Sequence, residues 1–287
     1  MKLSVGPLLY YWERSDVFAF YRALAPAPVD SVYLGEVVCS KRRALKQADW
    51  AAIASELSAA GKEVIFSTLA LMEAESELAA LARIVSASVT IEANDMAAVQ
   101  LAGGRPFVAG PHLNVYNGQT LRLLGALGAR RWVAPLELDA AALAELLAER
   151  PDGMECEVFA YGRMPLAFSA RCFSARVRRQ NKDDCSFVCG EDRDGLTVYT
   201  REHEPLFALN GVQAQSAQVR NLIDRVNEFE SAGVQMLRLS PHSDAAVPFA
   251  QVIEAFAHAV RGERAVECPA SALPGGYCSS PLLEARR

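Results

Sequence analysis

Apolar residues along this chain fall into short continuous runs, separated by longer stretches with helical spacing. The runs are LSVGPLLY (3–10), SVYLGE (31–36), EVIFSTLAL (63–71), SVTIEAND (88–95), PFVAGPHLNV (106–115), RRWVAPLEL (130–138), MECEVFAYG (154–162) and VQMLRLSP (234–241). Between them lie segments such as ADWAAIASELSAAGK (48–62), with apolar residues on one helical face and a Gly near the end. ALAELLAER (142–150) and VIEAFAHAV (252–260) repeat that pattern, and their Leu/Ala faces are expected in the core. Continuous apolar strands alternating with helices predict a parallel sheet covered by helices. Eight of them predict an α/β fold, a (β/α)8 TIM-like barrel, which takes roughly 250 residues. A doubly wound sheet is the alternative. It uses fewer strands, and no G-x-G-x-x-G follows the first run here.

One connection breaks the rhythm. The seventh run ends near Tyr161 and the eighth begins near Val234. The chain therefore reads as a single barrel domain over 1–287 with an insertion over about 162–233. Its first part, RMPLAFSARCFSARVRRQNKDDCSFVCGEDRDG, is polar and carries cysteines. LTVYT and PLFALNG then predict a hairpin, and QVRNLIDRVNEF (218–229) predicts a helix. An insertion after a barrel strand falls on the C-terminal face, where barrels build their sites.

Composition narrows the classes. Half of the 287 residues are apolar, and the formal net charge is −5. Without a basic stripe, the balance argues against a nucleic-acid surface. No apolar run reaches the ~18 residues of a membrane span. The opening MKLSVGPLLYYWERSD lacks a signal-peptide pattern, so a cytoplasmic location is expected. In that reducing compartment seven cysteines are a poor disulfide framework. Cys156, in MECEVFAY, reads as a small buried hydrophobe.

Cys172, Cys185 and Cys189 form C-x12-C-x3-C. On a helix the last two would share one face, about 5–6 Å apart at Cβ. Cys39, in LGEVVCSKRR after the second strand, would emerge on the face of the barrel that bears the insertion. Four thiolates suit a [4Fe–4S] cluster or a structural zinc. Arg171, Arg176, Arg178 and Arg179 surround Cys172, and Lys41, Arg42 and Arg43 follow Cys39. Cationic neighbours lower thiol pKa and offset thiolate charge. They could equally bind an anionic substrate or be solvated. From spacing alone, a metal centre and three unrelated thiols in a loop both stand.

The segments SVGPLLYYW, VYLGEVVCSKRR, STLALMEAESEL, FVAGPHLNVYN, EVFAYGRMPLAFSARCFSAR, FALNGVQ and RLSP run in order along the chain. Together they resemble the collagenase-like peptidase family, and within it the ubiquinone-biosynthesis branch. EVVCSKRR and Glu157–Arg176 carry the most specific part of the likeness. The resemblance implies a [4Fe–4S] cluster on Cys39, Cys172, Cys185 and Cys189. Cys156, Cys268 and Cys278 fall outside that pattern. It also implies a role in oxygen-independent hydroxylation of the ubiquinone ring, with a ubiquinone precursor as substrate. The implied partners are a homologous UbiU-like subunit in a heterodimer and a UbiT-like lipid-binding accessory protein. The rival readings are a non-catalytic scaffold stapled by the cluster, and a peptidase of the family's nominal type. The sequence holds no G-x-S-x-G or H-E-x-x-H, and its histidines, at 112, 203, 242 and 258, are scattered.

Polar residues at the expected strand ends complete the candidates: Glu36, Glu92, Asp95, His112, Asn114, Glu137, Tyr161, Ser240 and His242. That barrel face is where substrate groups collect. The plainer expectations are that Glu36 and Glu92 pair with arginines, Asp95 caps the helix at MAAVQ, and His112 is a turn residue.

Overall fold

The computed structural model describes residues 1–87, 89–181, 184–242 and 249–263. Strand and helix alternate from the start. β1 (Lys2–Val5), α1 (Arg14–Leu24), β2 (Ser31–Leu34), α2 (Gln47–Ala59), β3 (Glu63–Ser67) and α3 (Glu75–Ser86) come first. Next are β4 (Ile91–Ala93), α4 (Met96–Ala102), β5 (Phe107–Ala109), α5 (Gly118–Ala126), β6 (Ala129–Val133) and α6 (Ala140–Glu149). β7 (Glu155–Phe168), α7 (Phe173–Val177), β8 (Leu196–Tyr199), β9 (Pro205–Asn210) and β10 (Gln213–Asn221) follow. The last are α8 (Val226–Ser231), β11 (Met236–Leu239) and α9 (Phe249–Val260). β1 to β7 pair in parallel in chain order. β11 then pairs in parallel with both β7 and β1, which closes an eight-stranded (β/α)8 barrel.

The strands read as continuous apolar runs because both of their faces are buried. In β2, Val32 and Leu34 pack outward against the helices, with Tyr21, Ile53 and Leu57 in the same cluster. Tyr33, between them, points the other way and meets Ile65, Val108 and Val133 inside the barrel. Cys156 is wholly buried in the outer cluster, as its apolar context predicts, and so are Leu143 and Leu146 of α6. Short polar caps start the helices. Asp95, Asn117 and Asp139 accept the backbone N–H of Ala97, Thr120 and Ala142 at 2.7, 2.8 and 2.8 Å.

Between β7 and β11 the chain departs from the βα pattern. β7 is 14 residues long, and its outer half, Tyr161 to Phe168, pairs antiparallel with β10. β10 pairs with β9, and β9 with β8, so a four-stranded ribbon grows from one barrel strand. The hairpin expected from LTVYT and PLFALNG is present as β8 and β9. The helix expected over 218–229 is confined to α8, preceded by a single 3-10 turn at Ile223–Arg225. Gln218 to Asn221 belong instead to β10, where Val219, Arg220 and Asn221 pair with Arg163, Gly162 and Tyr161 of β7. At Gly162, φ is +126°, and a Cβ would stand 2.6 Å from the Ser240 carbonyl. Glycine there lets β7 lie close to β11 where the ribbon begins.

The barrel interior also holds buried ions. Arg238 of β11 pairs with Glu157 of β7 at 2.6 Å and Glu92 of β4 at 2.7 Å. The guanidinium lies over the Tyr33 ring, 4.1 Å from its centroid. Tyr33 Oη and Ser4 Oγ donate to Glu157 at 2.5 and 2.7 Å. Arg131 of β6 bonds Glu63 and Glu155 at 2.9 and 2.7 Å. Burial alone would raise the Glu157 carboxyl, but Arg238 and Arg131 hold it below its usual 4.5. A depressed carboxylate contributes stability above its unfolded pKa, and that contribution is lost as pH falls through the folded value. Arg238→Met should therefore cost about 3–5 kcal/mol, because Glu92 stays buried without its cation and Glu157 keeps only Arg131, at 3.9 Å. Urea unfolding at neutral pH measures the loss. The wild type should itself weaken below about pH 4.5, and the variant less so. Equal stability at neutral pH would contradict the arrangement.

Candidate metal centre at the barrel mouth

The candidate cysteines lie on three chain segments. Cys39 follows β2, Cys172 precedes α7, and Cys185 and Cys189 lie in the loop from Asp184 to Gly190. The ribbon brings the last two segments back over the barrel. Ser169 N donates to Val212 O at 2.8 Å, and Phe173 N to Gly211 O at 2.7 Å. Cys39 and Cys172 pack against one apolar patch of Leu9, Val37, Val38 and Val212, together with Ala70 and Phe168. Cys189 is buried and Cys185 is partly exposed.

The pair Cys185 and Cys189 does not lie on an α-helix, contrary to the spacing argument. Phe187 adopts a left-handed backbone (φ 60°) and starts a 3-10 turn over Val188–Gly190. Its ring stacks on Tyr11, centroids 5.5 Å apart. Gly190 lies under the same Tyr11 ring, where a Cβ would come within 3.0 Å. The aromatic stack thus sets the loop in place of helical pairing.

Backbone N–H groups face the sulfurs. Ala175 N donates to Cys172 Sγ and Phe187 N to Cys185 Sγ, both at 3.4 Å. The Lys41 N–H acts on the Cys39 thiol, opposing the rise that burial causes. Burial likewise pushes the Cys189 thiol up, while the Arg42 charge draws it down. The thiols act on one another: Cys172 raises both Cys39 and Cys189, and Cys39 raises Cys189. Tyr11 is raised by burial first, then by Cys189, with Cys185 also contributing. All four candidate cysteines are therefore within electrostatic reach of one another or of Tyr11. Among the described residues, no three His, Cys, Asp or Glu side chains are placed closely enough to hold a metal ion.

Arg42 is the clasp of the site. Its side chain is 2% exposed. Nη1 donates to Leu9 O at 3.0 Å, and Nη2 to Asn210 O and Oδ1 at 3.2 and 2.5 Å. Asn210 Nδ2 donates onward to the carbonyls of Cys189 and Asp192, each at 2.9 Å. Glu36 Oε1 accepts the N–H groups of Val38 and Cys39 at 2.8 and 3.1 Å and stands 3.8 Å from Arg42. One network thus joins the β1 loop, the Cys39 loop and the ribbon. Arg178 pairs with Glu191 and Asp192 at 3.1 and 2.9 Å. Arg171, Arg176 and Arg179 line an open cavity of about 400 Å³ with Cys172 in its wall.

The donor types suit thiolates here. Backbone N–H groups point at three of the sulfurs, and the buried Arg42, paired with Glu36 at 3.8 Å, adds positive charge.

The other candidates separate. Glu92 is the buried partner of Arg238, and Asp95 is a helix cap. His112 sits edge-on to Phe168, 4.7 Å between centroids, and burial with the Arg238 charge lowers it to about 3, so it is neutral. Asn114 is an exposed turn residue at φ 54°. Glu137 lies beyond the end of β6 and accepts from Tyr116 Oη at 3.0 Å. Tyr161 faces His242 at 5.9 Å, and Ser240 N donates to Tyr161 O at 2.8 Å. Cys268 and Cys278 lie outside the described residues. Tyr11 and Asn210 are the site residues that spacing did not single out.

The family model of peptidase family U32 matches residues 18–269. Solved structures resemble the chain at low identity. Dihydropteroate synthase from Thermus thermophilus is 13% identical, with TM-score 0.42, over 91% of each chain. A putative fructose-1,6-biphosphate aldolase from Coccidioides immitis is 11% identical, with TM-score 0.41, over 90% of this chain and 86% of that one. A β-mannanase from the blue mussel Mytilus edulis is 10% identical, with TM-score 0.38, over 91% of this chain and 92% of that one.

Burial raises the Cys156 thiol to about 12, whereas Cys185 is within reach of solvent. Alkylation of reduced, metal-free protein, read by mass spectrometry, should label Cys185 first. Cys39 and Cys189 should follow slowly, and Cys156 only on unfolding. Labelling of native Cys156 as fast as Cys185 would contradict this placement.

Proposed function

This chain belongs to peptidase family U32, and we propose that within it the protein is an iron–sulfur subunit for oxygen-independent hydroxylation of the ubiquinone ring. The chain segments quoted above resemble UbiV, a ubiquinone-biosynthesis protein of that family. On this reading the protein acts with a homologous UbiU-like subunit, a UbiT-like lipid-binding protein serves the same pathway, and a ubiquinone precursor is the substrate. Residues 162–233 are then an insertion on a single barrel domain. Among the described residues, no helix is long and apolar enough to cross a membrane.

The observation that supports the reading is that Cys39 and Cys172 share one apolar patch, while Cys189 and Cys185 lie in the loop that stacks on Tyr11. Cys39, Cys172, Cys185 and Cys189 would hold a [4Fe–4S] cluster. Bound there, the cluster would supply single-electron chemistry. With four thiolate ligands no iron would keep an open position, which favours electron transfer over direct binding of an oxygen donor. The chain's own part is to exclude water with Leu9, Val37, Val38 and Val212, and to direct N–H groups at the sulfurs.

A scaffold is the second reading. The Arg42 and Asn210 network ties the ribbon to the barrel, which is what a structural staple would need. A peptidase rests on the family's description, and its activity would survive aerobic, iron-free preparation.

Protein purified without oxygen should absorb broadly in the visible, bleach with dithionite and contain roughly four irons per chain. Cys172→Ser should lose both colour and quinone hydroxylation, and Cys156→Ser neither. A colourless protein holding about one zinc would replace the redox role with a structural one. A metal-free yet active protein would sink the cluster.

A further inference from the structure

We propose that the cavity walled by Arg171, Arg176 and Arg179 is a binding site for a small organic dianion, with a phosphate or paired carboxylates as its charged groups. The inference stands whether or not the cysteines hold a cluster.

The cavity is open and measures about 400 Å³, within the ~300–1,000 Å³ range of small-molecule sites. Ala170, Cys172, Gln180 and Asn181 complete its lining. Among the described residues, no acidic side chain lines it, and none pairs with these three arginines. Their neighbour Arg178 differs, being met by Glu191 and Asp192 at 3.1 and 2.9 Å. Arg14, Arg122 and Arg193 on the surface each have a carboxylate as well. In a chain of net charge −5, three unanswered cations around one hollow concentrate positive charge where an anion would fit. Gln180 adds a donor: its Oε1 accepts the Ser186 hydroxyl at 2.9 Å, which leaves Nε2 for a ligand.

The wall is held in place from below. Ser174 and Ala175 of α7 are buried. Gly211 N donates to Ser174 Oγ at 2.9 Å, and Phe173 N to Gly211 O at 2.7 Å. Arg171 and Arg176 therefore flank a turn anchored to the ribbon. The chain then reverses, with Gln180 N donating to Ala175 O at 2.9 Å and Arg179 N to Arg176 O at 3.0 Å. This closure sets Arg179 in the left-handed region, at φ 56°. Glycine is the usual residue there, because a side chain costs free energy at positive φ. Arginine instead brings a guanidinium to the cavity wall, and backbone strain of this kind is a mark of functional sites.

The donors select the ligand's chemistry. A guanidinium presents a planar fork that pairs bidentately with carboxylate or phosphate. Three forks exceed what a single carboxylate can occupy. A phosphate monoester or a dicarboxylate meets the charge, and the volume leaves room for an organic body.

Isothermal titration calorimetry of the full-length protein at physiological ionic strength tests this, with glycerol 3-phosphate, succinate and acetate as probes. One site per chain is expected for a dianion, with acetate much weaker. Tighter binding of glycerol 3-phosphate would mark a phosphate ligand, and of succinate a dicarboxylate. Arg176→Gln should weaken binding about tenfold or more, as loss of a charge-assisted hydrogen bond does. Arg201→Gln, exposed and outside the lining, should leave it unchanged. Arg179→Gly separates binding from folding: it should melt no lower than the wild type yet bind about tenfold more weakly. Wild-type affinity in Arg179→Gly would overturn the proposal, as would failure of both dianions to bind. Equal weakening by Arg201→Gln and Arg176→Gln would also overturn it, leaving general charge attraction only. So would binding confined to vesicles of anionic phospholipid, which would make the arginines a membrane contact.

Discussion

The fold depends on closing a sheet around charge. β11 is the strand that shuts the barrel, and its Arg238 must enter the interior between β1 and β7. A guanidinium there is tolerable only with carboxylates fixed at contact distance. Glu157 and Glu92 meet that need from β7 and β4, while Ser4 and Tyr33 satisfy the remaining oxygens of Glu157. The network therefore specifies which strands face one another, on top of what apolar packing achieves. Replacing it with well-packed apolar side chains could match its stability. What the ions add is register, since a slip of one residue would turn Arg238 out toward the helices.

Register at β7 has consequences beyond the barrel. The same strand that supplies Glu157 runs on past Gly162 to Phe168 and carries the ribbon. The position of Cys172 is thus fixed by a strand rooted in the core, four residues beyond that strand's end. Cys39 stands five residues past the end of β2. Both candidates descend from strands of the one barrel, β2 and β7, with β1 and β11 between them. Cys185 and Cys189 depend on softer contacts, the Tyr11–Phe187 stack and the Asn210 bridge.

How much of this was legible in the sequence follows from what each feature needs. Barrel strands and helices appear as local periodicity, so runs such as SVYLGE and ALAELLAER predicted them directly. The extent of β10 did not. QVRN looks helical in isolation, and only its partner, the outer half of β7, makes it a strand. Cys39, Cys172, Cys185 and Cys189 were visible as a set because cysteine is rare. Their supports were not, because Asn210 and Tyr11 are ordinary residues whose role comes from tertiary placement. The buried ions left a faint signal. Glu157, Arg131 and Arg238 each sit within apolar runs, where a charge is costly unless paired across the barrel.

Two kinds of buried arginine occur among the described residues, and they hold different parts of the fold. Arg238 and Arg131 are met by carboxylates at 2.6–2.9 Å, so their charge is answered within the protein. Arg42 is as deeply buried but is met by carbonyls and an amide, with its nearest carboxylate at 3.8 Å. At the mouth the fold answers the third guanidinium at longer range, through Glu36, whose carboxylate also holds the N–H groups of Val38 and Cys39. Neutral acceptors carry the rest of the burden, because a buried donor left unmet is costly. Arg42 in this way ties the Cys39 loop to Leu9 and, through Asn210, to the backbone of Cys189.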